Sequence, residues 1–134
     1  MCSSDLGSFR SFLPIMHGCD NFCTYCIVPY LRGREVSRRP QDILTELDAL
    51  EDSGVREVTL LGQNVNSYSW KASTSASDAS LENSGLDFPG LLRLIARHLQ
   101  ERGKNGIRWI RFLTSHPKDL SDEVIDVLSR ERLY

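Results

Sequence analysis

Val55-Arg56-Glu57-Val58-Thr59-Leu60-Leu61, running into Gly62-Gln63-Asn64, is the stretch that decides the fold. It is short, β-branched and apolar, which describes a strand buried in a parallel sheet. Helical patterns flank it on both sides. Upstream, Pro40-Gln41-Asp42 opens a helix whose Ile43, Leu44, Leu47 and Leu50 recur at helical spacing and which Gly54 stops. Downstream, Asp87 is placed as an N-cap with Pro89 in the first turn. That helix carries Phe88, Leu91, Leu92, Ile95 and Leu99 on one face and ends before Gly103.

The same unit repeats outward. Phe9 to Met16 (FRSFLPIM) is expected as a first strand and Ile107 to Leu113 (IRWIRFL) as a third. A last helix starts at Ser121 with Asp122 and Glu123 and carries Val124, Ile125 and Leu128. Strand, loop and helix thus occur three times, the pattern of an α/β fold with a parallel sheet and right-handed crossovers. Functional loops then lie at the carboxyl ends of the strands. Three loops share that rim: a cysteine loop with a basic continuation, the Gly62-Gln63-Asn64 turn, and Thr114 to Pro117. If Ile110 and Phe112 face the helices, Arg111 points into a barrel lumen.

The chain has 134 residues, far fewer than the ~250 of an eight-unit β/α barrel. Three strands leave two open edges and an uncovered face, so the isolated chain is expected to be poorly stable or self-associating. With 40% apolar and 25% charged residues and a mean hydropathy of -0.30, it can bury a core. No run approaches the ~18 apolar residues of a membrane span, and the N-terminus lacks a signal-peptide pattern. A cytoplasmic protein without a membrane partner is expected. Ser67 to Leu86 is serine-rich and is expected as a mobile surface insertion anchored by Trp70.

A net charge of -2 argues against bulk, unspecific nucleic-acid binding. Arginine supplies 13 of the 16 basic residues, and its planar fork suits phosphate and carboxylate. Arg32, Arg34, Arg38 and Arg39 follow the cysteine loop, where they can meet phosphate or form a solvated charged turn with Glu35 paired to one of them. His98 is placed on a solvated helix face. No Ser-His-Asp arrangement, phosphate-cradling loop or paired-carboxylate signature supports a hydrolase or kinase.

Cys19, Cys23 and Cys26 crowd together while Cys2 stands alone. This is the layout of a ligand cluster rather than of disulfide-closed loops. A four-iron cluster normally takes four cysteines, so three leave one iron free for a substrate or cofactor. The rival is a zinc site completed by Cys2 or His17, in a zinc-stabilised RNA-binding module without catalysis.

Gly18-Cys19-Asp20-Asn21-Phe22-Cys23-Thr24-Tyr25-Cys26-Ile27-Val28-Pro29-Tyr30 resembles the cluster loop of radical S-adenosylmethionine (SAM) enzymes, specifically of the methylthiotransferases. Arg32 to Arg38, Leu60 to Tyr68 and Thr114 to Asp119 are similar to segments of the branch that acts on isopentenyl-modified adenosine, although Leu31 stands where threonine is more usual. The resemblance covers about Phe12 to Leu128 and implies the first half of a six-unit partial barrel.

The resemblance implies a [4Fe-4S] cluster on Cys19, Cys23 and Cys26, with SAM chelating the unique iron and giving a 5'-deoxyadenosyl radical. That radical would activate carbon 2 of adenosine 37 in tRNA for addition of sulfur and a methyl group. Tyr25 would lie near the SAM adenine, Gly62, Gln63 and Asn64 would receive its amino group, and Ser115 and His116 would close the third strand at the same rim. Arg32, Arg34, Arg38 and Arg39 would meet tRNA or cofactor. A flavodoxin or ferredoxin would supply electrons. Sister enzymes of the family act on threonylcarbamoyladenosine in tRNA or on a ribosomal protein. The family's architecture adds a domain holding an auxiliary [4Fe-4S] cluster and an RNA-binding TRAM domain; neither is expected in residues 9–134, and residues 1–8 form an unassigned tail.

Overall fold

The computed structural model describes residues 9–71, 85–103, 106–113 and 117–131. Along the chain run β1 (Arg10–Pro14), β2 (Met16–His17), α1 (Val28–Arg32), β3 (Val36–Ser37), α2 (Pro40–Asp52) and β4 (Glu57–Leu61). They are followed by β5 (Ser69–Trp70), β6 (Leu86–Asp87), α3 (Phe88–Arg102), β7 (Trp109–Phe112) and α4 (Asp122–Glu131). The main sheet has the order β1-β4-β7 and both pairings are parallel, with Leu13 beside Leu60 and Val58 beside Ile110. This is the α/β arrangement of a partial barrel. The stretch that predicted it, β4, is the central strand.

Alternation along the three strands divides the sheet into two unlike faces. Leu13, Val58, Leu60 and Ile110 point to the helices and are buried. Phe12 and Leu113, on the lumen side, remain more than half exposed. Arg111 lies on that side too, as expected, with its Nε 3.1 Å from Glu57 Oε1. Arg10 Nε approaches the same oxygen at 3.2 Å, so the buried Glu57 carboxylate is shared by two guanidinium groups.

The helices begin where the sequence indicates. Pro40 opens α2, and Ile43 and Leu47 turn fully inward. Asp87 caps α3 by accepting from the Gly90 N–H at 2.9 Å, and Phe88 meets Phe112 edge to face at 5.2 Å. In α4 the buried residues are Val124 and Val127, with Leu128 partly covered. Ile125, expected on the core face, is exposed: the 124, 127, 128 spacing of a helical stripe leaves position 125 outside it.

His98 is also corrected. Its Nε2 is 2.6 Å from Asp48 Oδ1, and Arg102 reaches Asp48, Glu51 and Asp52. The helices α2 and α3 pack together, bringing the acidic half of one against the basic end of the other. The first strand is shorter than Phe9 to Met16 because Met16 and His17 leave the sheet to pair antiparallel with β3. The β5–β6 ribbon closes the base of the serine-rich segment, with Trp70 partly buried against the core. Residues 72–84, most of the expected insertion, lie outside the described residues. No helix among the described residues is long and apolar enough to cross a membrane.

Candidate functional site

The cysteine loop leaves the sheet through a narrow neck. The β2–β3 ribbon forms its two sides, and the Cys19 N–H donates to the Gly33 carbonyl at 3.3 Å. Gly18 sits at the crossing with φ of 73°, and any Cβ there would run into the Arg34 carbonyl. Only glycine meets both demands. Beyond the neck, Pro29 lies buried in the first turn of the short helix α1, an element the sequence pattern did not reveal. The loop thus stands at the carboxyl end of β1, where a parallel sheet places its chemistry.

All three thiols in this loop are free. Cys19 is buried at the neck, whereas Cys23 and Cys26 are partly exposed on the far side. Tight turns connect them: Cys23 N–H donates to Asn21 O at 2.9 Å and Cys26 N–H to Cys23 O at 3.0 Å. The Asn21 N–H points at Cys19 Sγ from 3.4 Å, the kind of N–H contact that tunes a cluster-ligating sulfur. Three soft donors on one loop fit an iron-sulfur cluster by chemistry. Among the described residues no three His, Cys, Asp or Glu side chains converge as a metal site. Tyr25, between the last two cysteines, is 94% exposed. His17 is exposed on β2, and Cys2 lies outside the described residues.

The second rim loop is tied to the first. Gly62 follows β4 and a Cβ there would collide with the Met16 side chain, so this glycine serves a close approach between β2 and the turn. Gln63 is partly buried and Asn64 fully buried. Asn64 Nδ2 donates to Asp119 Oδ2 at 2.6 Å across 55 residues of sequence. Ser67 Oγ contacts Glu35 Oε2 at 2.5 Å and the Asn64 carbonyl at 2.8 Å. Glu35 is therefore paired with Ser67 rather than with an arginine: the β2–β3 ribbon carries it toward the second loop. Burial raises the Glu35 carboxyl above its ordinary range; the Ser67 hydrogen bond opposes this, while Asp20 and Asp119 add to it. Tyr68 is buried, its hydroxyl donating to the Arg38 carbonyl at 2.7 Å, and burial pushes its phenol upward.

A hydrogen-bonded series consequently runs from Glu35 through Ser67 and Asn64 to Asp119, joining the cysteine loop's continuation and the second rim loop to the turn at Pro117–Asp119. No local sequence signal marks it, because each contact joins residues far apart in the chain. Ser115 and His116 lie outside the described residues, while the short 3-10 turn Pro117–Asp119 follows them. Of the four arginines, Arg32, Arg34 and Arg39 are exposed. Arg38 is engaged within the fold, donating to the Pro14 carbonyl at 2.6 Å and to Glu46 Oε2 at 2.8 Å.

The family model of the radical SAM superfamily matches residues 13–133, and the chain belongs to that superfamily. Its cofactors as a class are a [4Fe-4S] cluster and SAM, which favours iron-sulfur over zinc for the three-thiol loop. The chain is 55% identical over 125 residues to a tRNA-2-methylthio-N(6)-dimethylallyladenosine synthase of Treponema denticola, covering 93% of this chain and 26% of the relative. A protein of the same name from Treponema pallidum (strain Nichols) is 53% identical over 93% of this chain and 25% of its own length. One from Pelobacter propionicus is 55% identical over 86% of this chain and 22% of its own length. The chain thus spans about a quarter of the length of these relatives.

Proposed function

We propose that this chain is the cluster-bearing part of a tRNA methylthiotransferase that modifies carbon 2 of isopentenyl-modified adenosine 37. The observation that carries this reading is the necked loop with three free thiols at the carboxyl end of β1. Relatives at 53–55% identity that share the name of such a synthase support the substrate. Cys19, Cys23 and Cys26 would hold the [4Fe-4S] cluster. When bound, the cluster and SAM would supply one-electron cleavage chemistry, and a second, auxiliary cluster is expected in a further domain.

The chain's own residues then have distinct tasks. The exposed Tyr25 ring is set to cover the SAM adenine. Gly62 keeps the second loop tight under Met16, and the Gln63 side-chain oxygen is offered to the SAM ammonium group. Asn64 is held by Asp119 and fixes the shape of that turn. Ser115 and His116 would complete the cofactor rim from the third strand. Arg32, Arg34 and Arg39 carry charge that is suited to tRNA phosphate, while Arg38 braces the neck. A flavodoxin or ferredoxin would deliver electrons, and the enzyme would work in the cytoplasm with its tRNA.

Anaerobic reconstitution with iron and sulfide tests the ligand set. Roughly four irons per chain are expected, lost when Cys19, Cys23 and Cys26 are changed to Ala. Stoichiometric zinc without iron would overturn the reading. Mass spectrometry of tRNA from a strain lacking the gene tests the substrate: loss of the 2-methylthio group from isopentenyladenosine is expected. Loss only from threonylcarbamoyladenosine, or from a ribosomal protein, would assign the chain to a sister enzyme.

A further inference from the structure

Phe22 and Tyr30 are 62% and 76% exposed. Their ring centroids are 5.9 Å apart at 75°. An edge-to-face pair of this kind occupies only one of its four ring faces, so flat apolar surface is left open on both residues. We propose that Phe22 and Tyr30, together with Arg32 and Arg34, form a platform that stacks an unpaired base of single-stranded RNA beside the three-cysteine loop. This deepens the proposed function and rests on it, by naming the surface that receives the nucleic acid.

The backbone that carries the platform is hydrogen-bonded. Tyr30 stands on α1, whose first turn is closed by Tyr30 N–H and Leu31 N–H donating to the Ile27 carbonyl, over a buried Pro29. Phe22 is flanked by the turn in which Cys23 N–H donates to Asn21 O. Stacking on fixed rings avoids the entropy of ordering them on contact. Cationic charge lies in the same short segment as the rings. Arg32 lies in the last turn of α1 and Arg34 two residues on; both are exposed and make no ion pair among the described residues. Glu35 is turned away to Ser67, and Asp20 Oδ1 accepts from the Glu35 N–H at 3.3 Å.

Open ring faces and exposed guanidinium groups within one short segment match bases and phosphates together. Base stacking on aromatic side chains tolerates any base because each has a π face, and arginines track the backbone. A duplex offers no open base face to such rings, an acidic protein would use the cations without the rings, and an apolar peptide would use the rings without the cations. Phe22 directly precedes Cys23, so a base stacked there is held at the thiol loop itself.

The test is fluorescence anisotropy with a labelled single-stranded oligoadenylate 12-mer, using the full 134-residue chain reconstituted with iron and sulfide. Circular dichroism verifies that each variant is folded. The double change Phe22→Ala with Tyr30→Ala is expected to weaken binding about tenfold without changing the dependence on salt. Arg32→Ala with Arg34→Ala is expected to flatten that dependence by roughly 1.4 in log–log slope, two single-strand phosphates. Phe22→Trp should restore affinity, and an abasic 12-mer should bind the parent chain as weakly as the intact 12-mer binds the double alanine variant. Unchanged binding by that variant would overturn the platform, and so would an equal loss on duplex or abasic RNA. Normal RNA binding with lost reduction by flavodoxin would also overturn it and assign the face to the electron donor. If the parent chain binds no RNA, the platform falls; the tRNA substrate stands or falls separately, by the mass-spectrometry result.

Discussion

The β4 core and the cysteine loop are held together by opposite means. Around β4, Leu13, Val58 and Leu60 are fully buried beneath α2 and α3, and shape follows from apolar packing. In the loop, Phe22, Tyr25, Ile27, Tyr30 and Leu31 are all more than 60% exposed, and shape follows from a backbone neck at Gly18 and Gly33. The difference teaches that the loop can change its contents without endangering the sheet. Its side chains beyond the neck remain available for ligands because packing does not need them.

Several changes test that division, starting in the core. Leu60→Ala removes a fully buried side chain between strand and helices and is expected to cost about 2–5 kcal/mol in urea unfolding. A loss below about 1 kcal/mol would mean that β4 is not the packing centre. Gly18→Ala strikes the neck, where both φ and space demand glycine, and is expected to cost about 1–3 kcal/mol. It should also lower iron incorporation, whereas Leu60→Ala should leave the iron content of whatever fraction folds unchanged.

Asn64→Ala leaves the Asp119 carboxylate without its 2.6 Å donor, for an expected cost of about 1–2 kcal/mol. Asn64→Asp should be worse at neutral pH, since it sets two carboxylates against each other. Equal stabilities for the two variants would show that the Asn64–Asp119 contact does not form in solution.

Glu35→Gln is expected to have a smaller effect that depends on pH. Burial raises the Glu35 carboxyl, so the ionised form is favoured less in the folded chain than in the unfolded one. The penalty is absent below its ordinary value of 4.5 and develops as pH rises through the raised value, so stability falls across that window. Glutamine keeps an acceptor for Ser67 and should remove this fall. Parallel unfolding curves for the two proteins from pH 4 to 8 would rule it out. Smallest of all, Cys23→Ser with Cys26→Ser should change the stability of the metal-free chain by less than about 0.5 kcal/mol while abolishing iron binding.

Much of this division is legible in the sequence, and the rest is not, for physical reasons. The β4 strand and the starts of α2 and α3 are local: apolar spacing, Pro40 and the Asp87 cap act within a turn or two of themselves. The boundaries that moved did so through distant partners. Met16 and His17 leave β1 because β3 returns to pair with them, and Ile125 turns outward because α3 sets which stripe of α4 is covered. The thiol spacing was legible for the same local reason as the helices. The occupation of Arg38 by Pro14 and Glu46 was not, since neither partner is near it in sequence.

The sequence by itself determined the three βα units and the loop carrying Cys19, Cys23 and Cys26, because periodicity, caps and ligand spacing are short-range properties of the chain. Only the tertiary structure decided how Glu35, Ser67, Asn64 and Asp119 are joined. It alone also decided that Arg38 is engaged within the fold while Arg32, Arg34 and Arg39 stay exposed. Those outcomes depend on distant segments competing for the same donors, acceptors and buried space, and that competition is settled only when the sheet has brought them together.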